Sequence, residues 1–246
     1  MSVAKEIPQD LLAKYTMGGN VPVFPWWIDD SAMDVSKNHL PAKIQFFREK
    51  VRRREVLYYD ATDRWLYDAT DRWLYEALGR FPVAGKRVLL FGSENPWYEI
   101  MSQEFGAKEV TVVEYGDRVD ANGIKYVKPS VLGNEQFDCA FSISSFEHDG
   151  LGRYGDPLDP YGDLTAMVQA KRNVVYGGFM FLAVPVGKDA LVWNAHRVYG
   201  SLRLPLLLQN WELLASFGFS EEDYGKQFED VTKSSYHQPV FALRNN

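Results

Sequence analysis

The chain has 246 residues and only four histidines, and two of these, His148 and His196, fall in polar stretches that follow apolar runs. The first stretch begins Glu147-His148-Asp149 and continues through Arg153, Tyr154, Asp156 and Asp159, threaded by Gly150, Gly152, Gly155 and Gly162. A histidine between carboxylates is a candidate general base that can remove a proton from a hydroxyl or an amine. Asp149 is the neighbour expected to hold the ring or raise its pKa. Arg153 and Tyr154 suit recognition of an anionic or sugar-like group. The competing reading is a structural cap and a self-supporting loop. A second cluster, Trp193, Asn194, His196, Arg197, Tyr199 and Arg203, follows the next apolar run. It is expected to form the far wall of the same pocket. Two histidines with Glu147 or Asp149 could bind a metal, but no recognisable ligand spacing supports one. Neither a G-x-S-x-G elbow nor a Walker A loop is present.

A nucleotide-type pattern lies upstream. Val88-Leu89-Leu90-Phe91 breaks at Gly92, continues Ser93-Glu94-Asn95-Pro96-Trp97, and is followed by Val110 to Glu114. The glycine lets backbone N–H groups approach a ligand at a helix N-terminus, and Glu114 can accept hydrogen bonds from ribose hydroxyls. Tyr115 is placed to lie against an adenine. Ser144 and Ser145 are small enough for close packing where a strand meets that ligand. A solvated strand-end acid and a plain turn are the alternatives.

These residues need a scaffold, and the pattern from residue 86 onward is that of a parallel α/β sheet. Strands are expected at 87–91, 110–114, 124–127, 137–144 and 179–184, with a closing hairpin near 219–224 and 240–244. Helices are expected at 41–51, 96–105, 164–176 and 205–217, the third stopped by Gly177-Gly178 and the fourth by Gly218. About nine residues separate the second and third strands, so the helix there is short or lost. Residues 1–80 read as a helical or irregular extension, with Trp26 and Trp27 folding over the sheet as a cover. Residues 81–246 read as the Rossmann-like domain.

Two local features stand apart. Tyr59 to Leu66 is repeated without change as Tyr67 to Leu74, too short a repeat for a solenoid. Arg48, Lys50, Arg52, Arg53 and Arg54 form a basic cluster, either a solvated helix face or a contact for an anionic partner.

The bulk properties exclude several classes. Hydrophobic residues make up 46% of the chain, ample for a buried core. A formal charge of −6 argues against a dedicated duplex-binding protein. A single cysteine, Cys139, cannot form an internal disulfide and fits a reducing compartment. No apolar run reaches the roughly 20 residues of a membrane span, and no signal-peptide pattern opens the chain. A cytoplasmic protein is expected. The oligomeric state is not readable.

With its elements in this order the chain resembles the class I S-adenosylmethionine-dependent methyltransferases. The likeness rests on Gly92, Glu114, the run from Phe137 through Phe146-Glu147-His148, Gly177-Gly178 before Phe179 to Pro185, and a late Leu213 to Phe219. It covers residues 86–244. A closer resemblance is to family 268 of the domains of unknown function, through Gly92 to Trp97, Ser144 to Pro157, and Asn194 to Gly200 before Arg203-Leu204. The typical methyltransferase loop is acid-x-G-x-G-x-G. Here Leu90 replaces the acid, Glu94 the second glycine and Pro96 the third. The resemblance implies a mostly parallel sheet whose last strand is antiparallel, and S-adenosylmethionine as cofactor. Gly92, Ser93, Glu94, Glu114, Tyr115, Ser144 and Ser145 would hold it. His148 and Asp149 would serve catalysis, while Arg153, Tyr154, His196, Arg197 and Tyr199 would contact a small-molecule or glycan-like acceptor. The alternative is a catalytically inactive methyltransferase-like binding protein. A nicotinamide enzyme is disfavoured, because positions 94 and 97 are Glu and Trp instead of glycines.

Overall fold

A computed structural model describes residues 4–57, 66–227 and 237–246. In chain order the elements are α1 (Gln9–Tyr15), β1 (Val23–Trp26), α2 (Pro41–Arg52), α3 (Leu66–Arg80), β2 (Arg87–Phe91) and α4 (Trp97–Glu104). β3 (Glu109–Val113), β4 (Ile124–Val127), α5 (Pro129–Leu132), β5 (Phe137–Ile143), α6 (Gly162–Asn173) and β6 (Val174–Ala183) follow. The last are β7 (Ala190–Asn194), β8 (His196–Val198), α7 (Leu204–Leu207), β9 (Glu212–Phe217) and β10 (Val240–Arg244).

Seven strands form the main sheet in the order β4-β3-β2-β5-β6-β10-β9. β2 pairs in parallel with β3 and β5, while β10 is antiparallel to both β6 and β9. The central strands are apolar throughout because both faces are covered. Val88, Leu90, Val110 and Val112 face Phe47, Leu74, Trp97 and Ile100 of the helices on one side. Leu89, Phe91 and Val113 face Phe146, Met167 and Tyr199 on the other. No helix intervenes between β3 and β4, as their short separation requires.

Three expectations about the second half are corrected. Residues 205–217 are not one helix. α7 ends within one turn, Asn210 turns at φ 68°, and β9 follows where the helix was expected to continue. Asparagine tolerates this left-handed turn, and buried Trp211 anchors the new direction. The expected strand at 219–224 is instead largely a 3-10 turn, Glu221–Gly225. Gly177-Gly178 does not stop a helix, for α6 ends at Asn173 and β6 runs through the pair. Gly177 N donates to Asn245 O at 2.7 Å and Asn245 N to Gly178 O at 2.8 Å. A Cβ at position 178 would lie 2.7 Å from Asp138 O, so the glycine allows a close strand crossing.

A second sheet, β1-β7-β8, lies beyond the end of β6. β1 pairs in parallel with β7, from Val23 opposite Leu191 to Trp26 opposite Asn194. The N-terminal segment is thereby stitched to the carboxyl edge of the main sheet. The basic cluster on α2 is absorbed locally. Arg48 and Arg52 each reach Glu104 at 2.7 Å, Lys50 reaches Glu55 at 2.8 Å, and the Arg54 guanidinium lies 3.9 Å from the Phe105 ring centre. The second copy of the tandem repeat falls in α3, where Asp71 accepts Leu57 N at 2.8 Å. Most of the first copy lies outside the described residues.

Candidate active site

A cleft of about 1170 Å³ opens at the carboxyl edge of β2, β3 and β5. On one side Gly92 turns at φ +71°, and a Cβ there would meet Ser145 Oγ at 2.5 Å. Both conformation and space therefore call for glycine. Ser93 N, just beyond it, donates to Glu114 Oε2 at 2.9 Å, while Tyr115 N and Gly116 N donate to Oε1 at 2.8 and 3.3 Å. Glu114 thus ties the loops after β2 and β3 together and also lines the cleft. Arg118 stands 3.9 Å from the same carboxylate. Glu94, Tyr115, Ser144 and Ser145 line this side too. The side chain of Glu94 is open to the cleft, whose walls push its pKa up, with Arg153 acting in the opposite sense.

The other side is built around His148. Its Nδ1 lies 2.6 Å from Ala195 O. A carbonyl can only accept, so the proton sits on Nδ1 and Nε2 keeps its lone pair. Burial, with help from Arg153 and His196, holds this imidazole well below its usual pKa. Asp149 does not hold the ring, and the ring's pKa is lowered, both contrary to expectation. The backbone of β8 has taken the orienting role. Asp149 lines the cleft, and burial together with nearby Asp156 raises its pKa well above the usual range.

Glu147 is fully buried. Its Oε1 accepts Ser144 Oγ at 2.7 Å and stands 3.7 Å from His148 Nε2. Its Oε2 has no hydrogen-bond partner among the described residues. Burial pushes its pKa up to about 7, against the Ser144 hydrogen bond. His196, also buried, is driven down to about 3 by burial and by Arg153. Trp26, His196, His148 and Tyr154 meet edge to face in series, with centroid spacings of 6.1, 6.3 and 5.5 Å. All four line the cleft, giving it an aromatic wall.

Two residues expected to contact an acceptor do not reach the cleft. Arg197 is 2% exposed and points beneath the glycine-rich loop, donating to Asp149 O at 2.6 Å and to Asp159 O at 3.3 Å. Tyr199 is fully buried, with its hydroxyl 3.0 Å from Asp163 Oδ2. Arg203 closes on the same carboxylate at 2.6 and 2.8 Å. These three form the loop's foundation. Within the loop Asp156 accepts Gly150 N at 2.7 Å and Gly152 N at 3.1 Å.

Other contributors had no readable signal. Asp30 binds Arg153 Nε at 2.7 Å and fixes it against the cleft. Met33, Arg118 and Gln238 line the walls, brought there from segments with no motif. Among the described residues no group of three His, Cys, Asp or Glu side chains is arranged to hold a metal, and no helix is long and apolar enough to cross a membrane.

A sheet in this order, with one antiparallel strand beside its edge and a glycine-turn cleft at its carboxyl end, defines a class I methyltransferase fold. Residues 85–244 match the family described as "Caenorhabditis protein of unknown function, DUF268". The chain belongs to that family. None of the curated proteins matches it. Among solved structures it is similar to the N-methyltransferase NodS from Bradyrhizobium japonicum WM9 in complex with S-adenosyl-L-homocysteine. Identity is 14%, coverage 82% of this chain and 97% of that one, and the TM-score 0.49. A putative methyltransferase from Streptococcus mutans matches at 15% identity, with 70% and 48% coverage and a TM-score of 0.44. The chain thus spans about half the length of that protein. A putative S-adenosylmethionine-dependent methyltransferase from Listeria monocytogenes matches at 10% identity, with 71% and 98% coverage and a TM-score of 0.46. The fold assignment rests on the strand order itself.

Proposed function

We propose that this protein is an S-adenosylmethionine-dependent methyltransferase acting on a small-molecule or glycan-like acceptor. The observation carrying this reading is the junction of Gly92 and Glu114. A glycine turn and a strand-end carboxylate meet through the Ser93 N–Glu114 bond at 2.9 Å, at the wall of an open cleft. The residues present fit the cofactor. Glu114 would accept from ribose hydroxyls, Ser93 and Ser145 would pack along the nucleoside, and Tyr115 would cover the base. Glu94 occupies the usual second-glycine position and supplies a carboxylate for the ammonium group, in place of the acid that Leu90 lacks. When bound, the cofactor supplies an electrophilic methyl group.

Chain residues do the rest. His148 is held in one tautomer by Ala195 O, leaving Nε2 to take a proton from the acceptor. Arg153, Tyr154 and His196 form the acceptor wall, and Asp149 contributes its polar edge. Much of the rate gain comes from holding the acceptor in line with the methyl group. A lone, buried cysteine suits a cytoplasmic setting.

The test is calorimetric titration of the folded protein with S-adenosylmethionine and S-adenosylhomocysteine. Heat of binding supports the reading, and silence at millimolar ligand removes it in favour of a non-catalytic binding protein. Gly92→Val should weaken binding about 100-fold, through backbone strain and a clash with Ser145. Unchanged affinity in a folded variant would detach Gly92 from the cofactor.

A further inference from the structure

The acceptor wall carries a charge imbalance that points to the chemical class of the acceptor, granted the methyltransferase reading. Glu94, Glu147 and Asp149 all line the cleft, and among the described residues none forms an ion pair with a lysine or arginine. The two arginines on the cleft are already engaged. Arg153 is bound by Asp30 at 2.7 Å, and Arg118 stands 3.9 Å from Glu114. Asp156 is consumed by backbone N–H groups inside its loop.

Glu147 supplies a second, independent sign. Its side chain is 1% exposed, it lines the cleft, and among the described residues its buried Oε2 has no hydrogen-bond partner. A buried acceptor atom left unmatched is costly unless a ligand completes it. An anionic acceptor would find both arginines of the cleft engaged and carboxyl groups that repel it whenever they ionise. A simple hydroxyl would leave the excess of acid unused.

We propose that the acceptor's reacting group is a primary amine, received in its ammonium form by Glu147 and Asp149 beside Nε2 of His148. The aromatic wall of Trp26, His196 and Tyr154, with Arg153 already 4.9 Å from the Tyr154 ring centre, suits a flat or ring-bearing body. Burial raises the pKa of both acids in the free protein, that of Glu147 to about 7. A bound cation reverses that shift and drives their protons out. For transfer, the ammonium gives one proton to His148 Nε2, where ionised Glu147 at 3.7 Å stabilises the imidazolium. The freed nitrogen lone pair would then take the methyl group that the bound cofactor would supply, the electron pair of the S–CH3 bond staying with sulfur.

Three compounds that share one ring and differ in charge test this: benzylamine, benzyl alcohol and benzoate. Each is titrated into the protein by calorimetry, with and without S-adenosylhomocysteine. Benzylamine should bind at least about tenfold tighter than the other two, and Glu147→Gln and Asp149→Asn should each erase that margin. Benzylamine binding should also release protons, read as a heat that changes with the ionisation enthalpy of the buffer. Equal affinity for all three compounds, tighter benzoate binding, or a margin that survives both substitutions overturns the proposal. If a variant fails to fold, proton release in the unaltered protein decides the matter, and its absence sinks the proposal. If benzylamine behaves as stated while S-adenosylhomocysteine gives no heat, the ammonium site stands and the methyl-transfer reading falls. Heat from the cofactor product without selectivity for benzylamine gives the reverse.

Discussion

Asp163 and Glu147 are both completely buried, yet their chemistry runs in opposite directions. Burial alone would raise the pKa of Asp163, but Arg197 and Arg203 outweigh it and hold the group below its usual value. The Glu147 carboxylate is given one serine hydroxyl and no guanidinium hydrogen bond, so burial wins and its pKa climbs to about 7. The first carboxylate is satisfied on all sides and serves as foundation. The second lines the cleft and, among the described residues, keeps a buried oxygen without a hydrogen-bond partner. Burial depth does not separate the two groups; the number of partners does.

Removing the partners of Asp163 should make it resemble Glu147, at a high cost. Arg203→Ala leaves a buried carboxylate short of its closest cation and should destabilise the protein by about 3–5 kcal/mol, read from the midpoint of denaturant unfolding. The pH dependence has a definite sign. A carboxylate with a depressed folded pKa stabilises above its unfolded value near 3.8, and that stability is lost as pH falls through the folded pKa. The variant should therefore lose part of the acid-induced unfolding transition. A variant as stable as the parent would show that the pair is not a foundation.

Glu147→Gln should do the opposite. In the parent, the unfolded chain ionises this group near 4.5 and the folded chain only near 7. Stability falls across that window and stays lower above it. The glutamine variant should match the parent near pH 4.5 and gain roughly 3 kcal/mol above pH 7. Flat parity across the range would mean that Glu147 already has a partner. The smallest effect belongs to Asp30→Ala. This pair with Arg153 is partly exposed, and such pairs contribute at most about 1 kcal/mol. A loss several times larger in thermal unfolding would place Asp30 among the foundations.

Local patterns made the Gly92–Glu114 side of the cleft readable. The glycine after β2 and the acid after β3 follow from how parallel strands end, and both occur within a few residues of an apolar run. The His148 side was only half legible. His196 and Arg197 were grouped as cleft residues, but β8 is a strand and successive side chains point to opposite faces. His196 therefore lines the cleft while Arg197 turns under the loop. A strand of three residues has too short an alternation to be recognised in the chain. Gly177-Gly178 misled for a related reason, since glycine marks both a helix end and a strand irregularity, and only the partner Asn245 distinguishes them.

The order of amino acids was enough to specify the sheet type, the glycine turn at Gly92, the acid at Glu114 and the histidine on the loop after β5, because each is written in neighbours a few bonds away. Protonation and orientation were settled by folding. His148 is oriented by a carbonyl 47 positions downstream, and Ile28 N is received by Asn194 from 166 positions away. Partners, burial and local charge arise from atoms that meet only in the packed molecule, and those are the quantities that set a pKa.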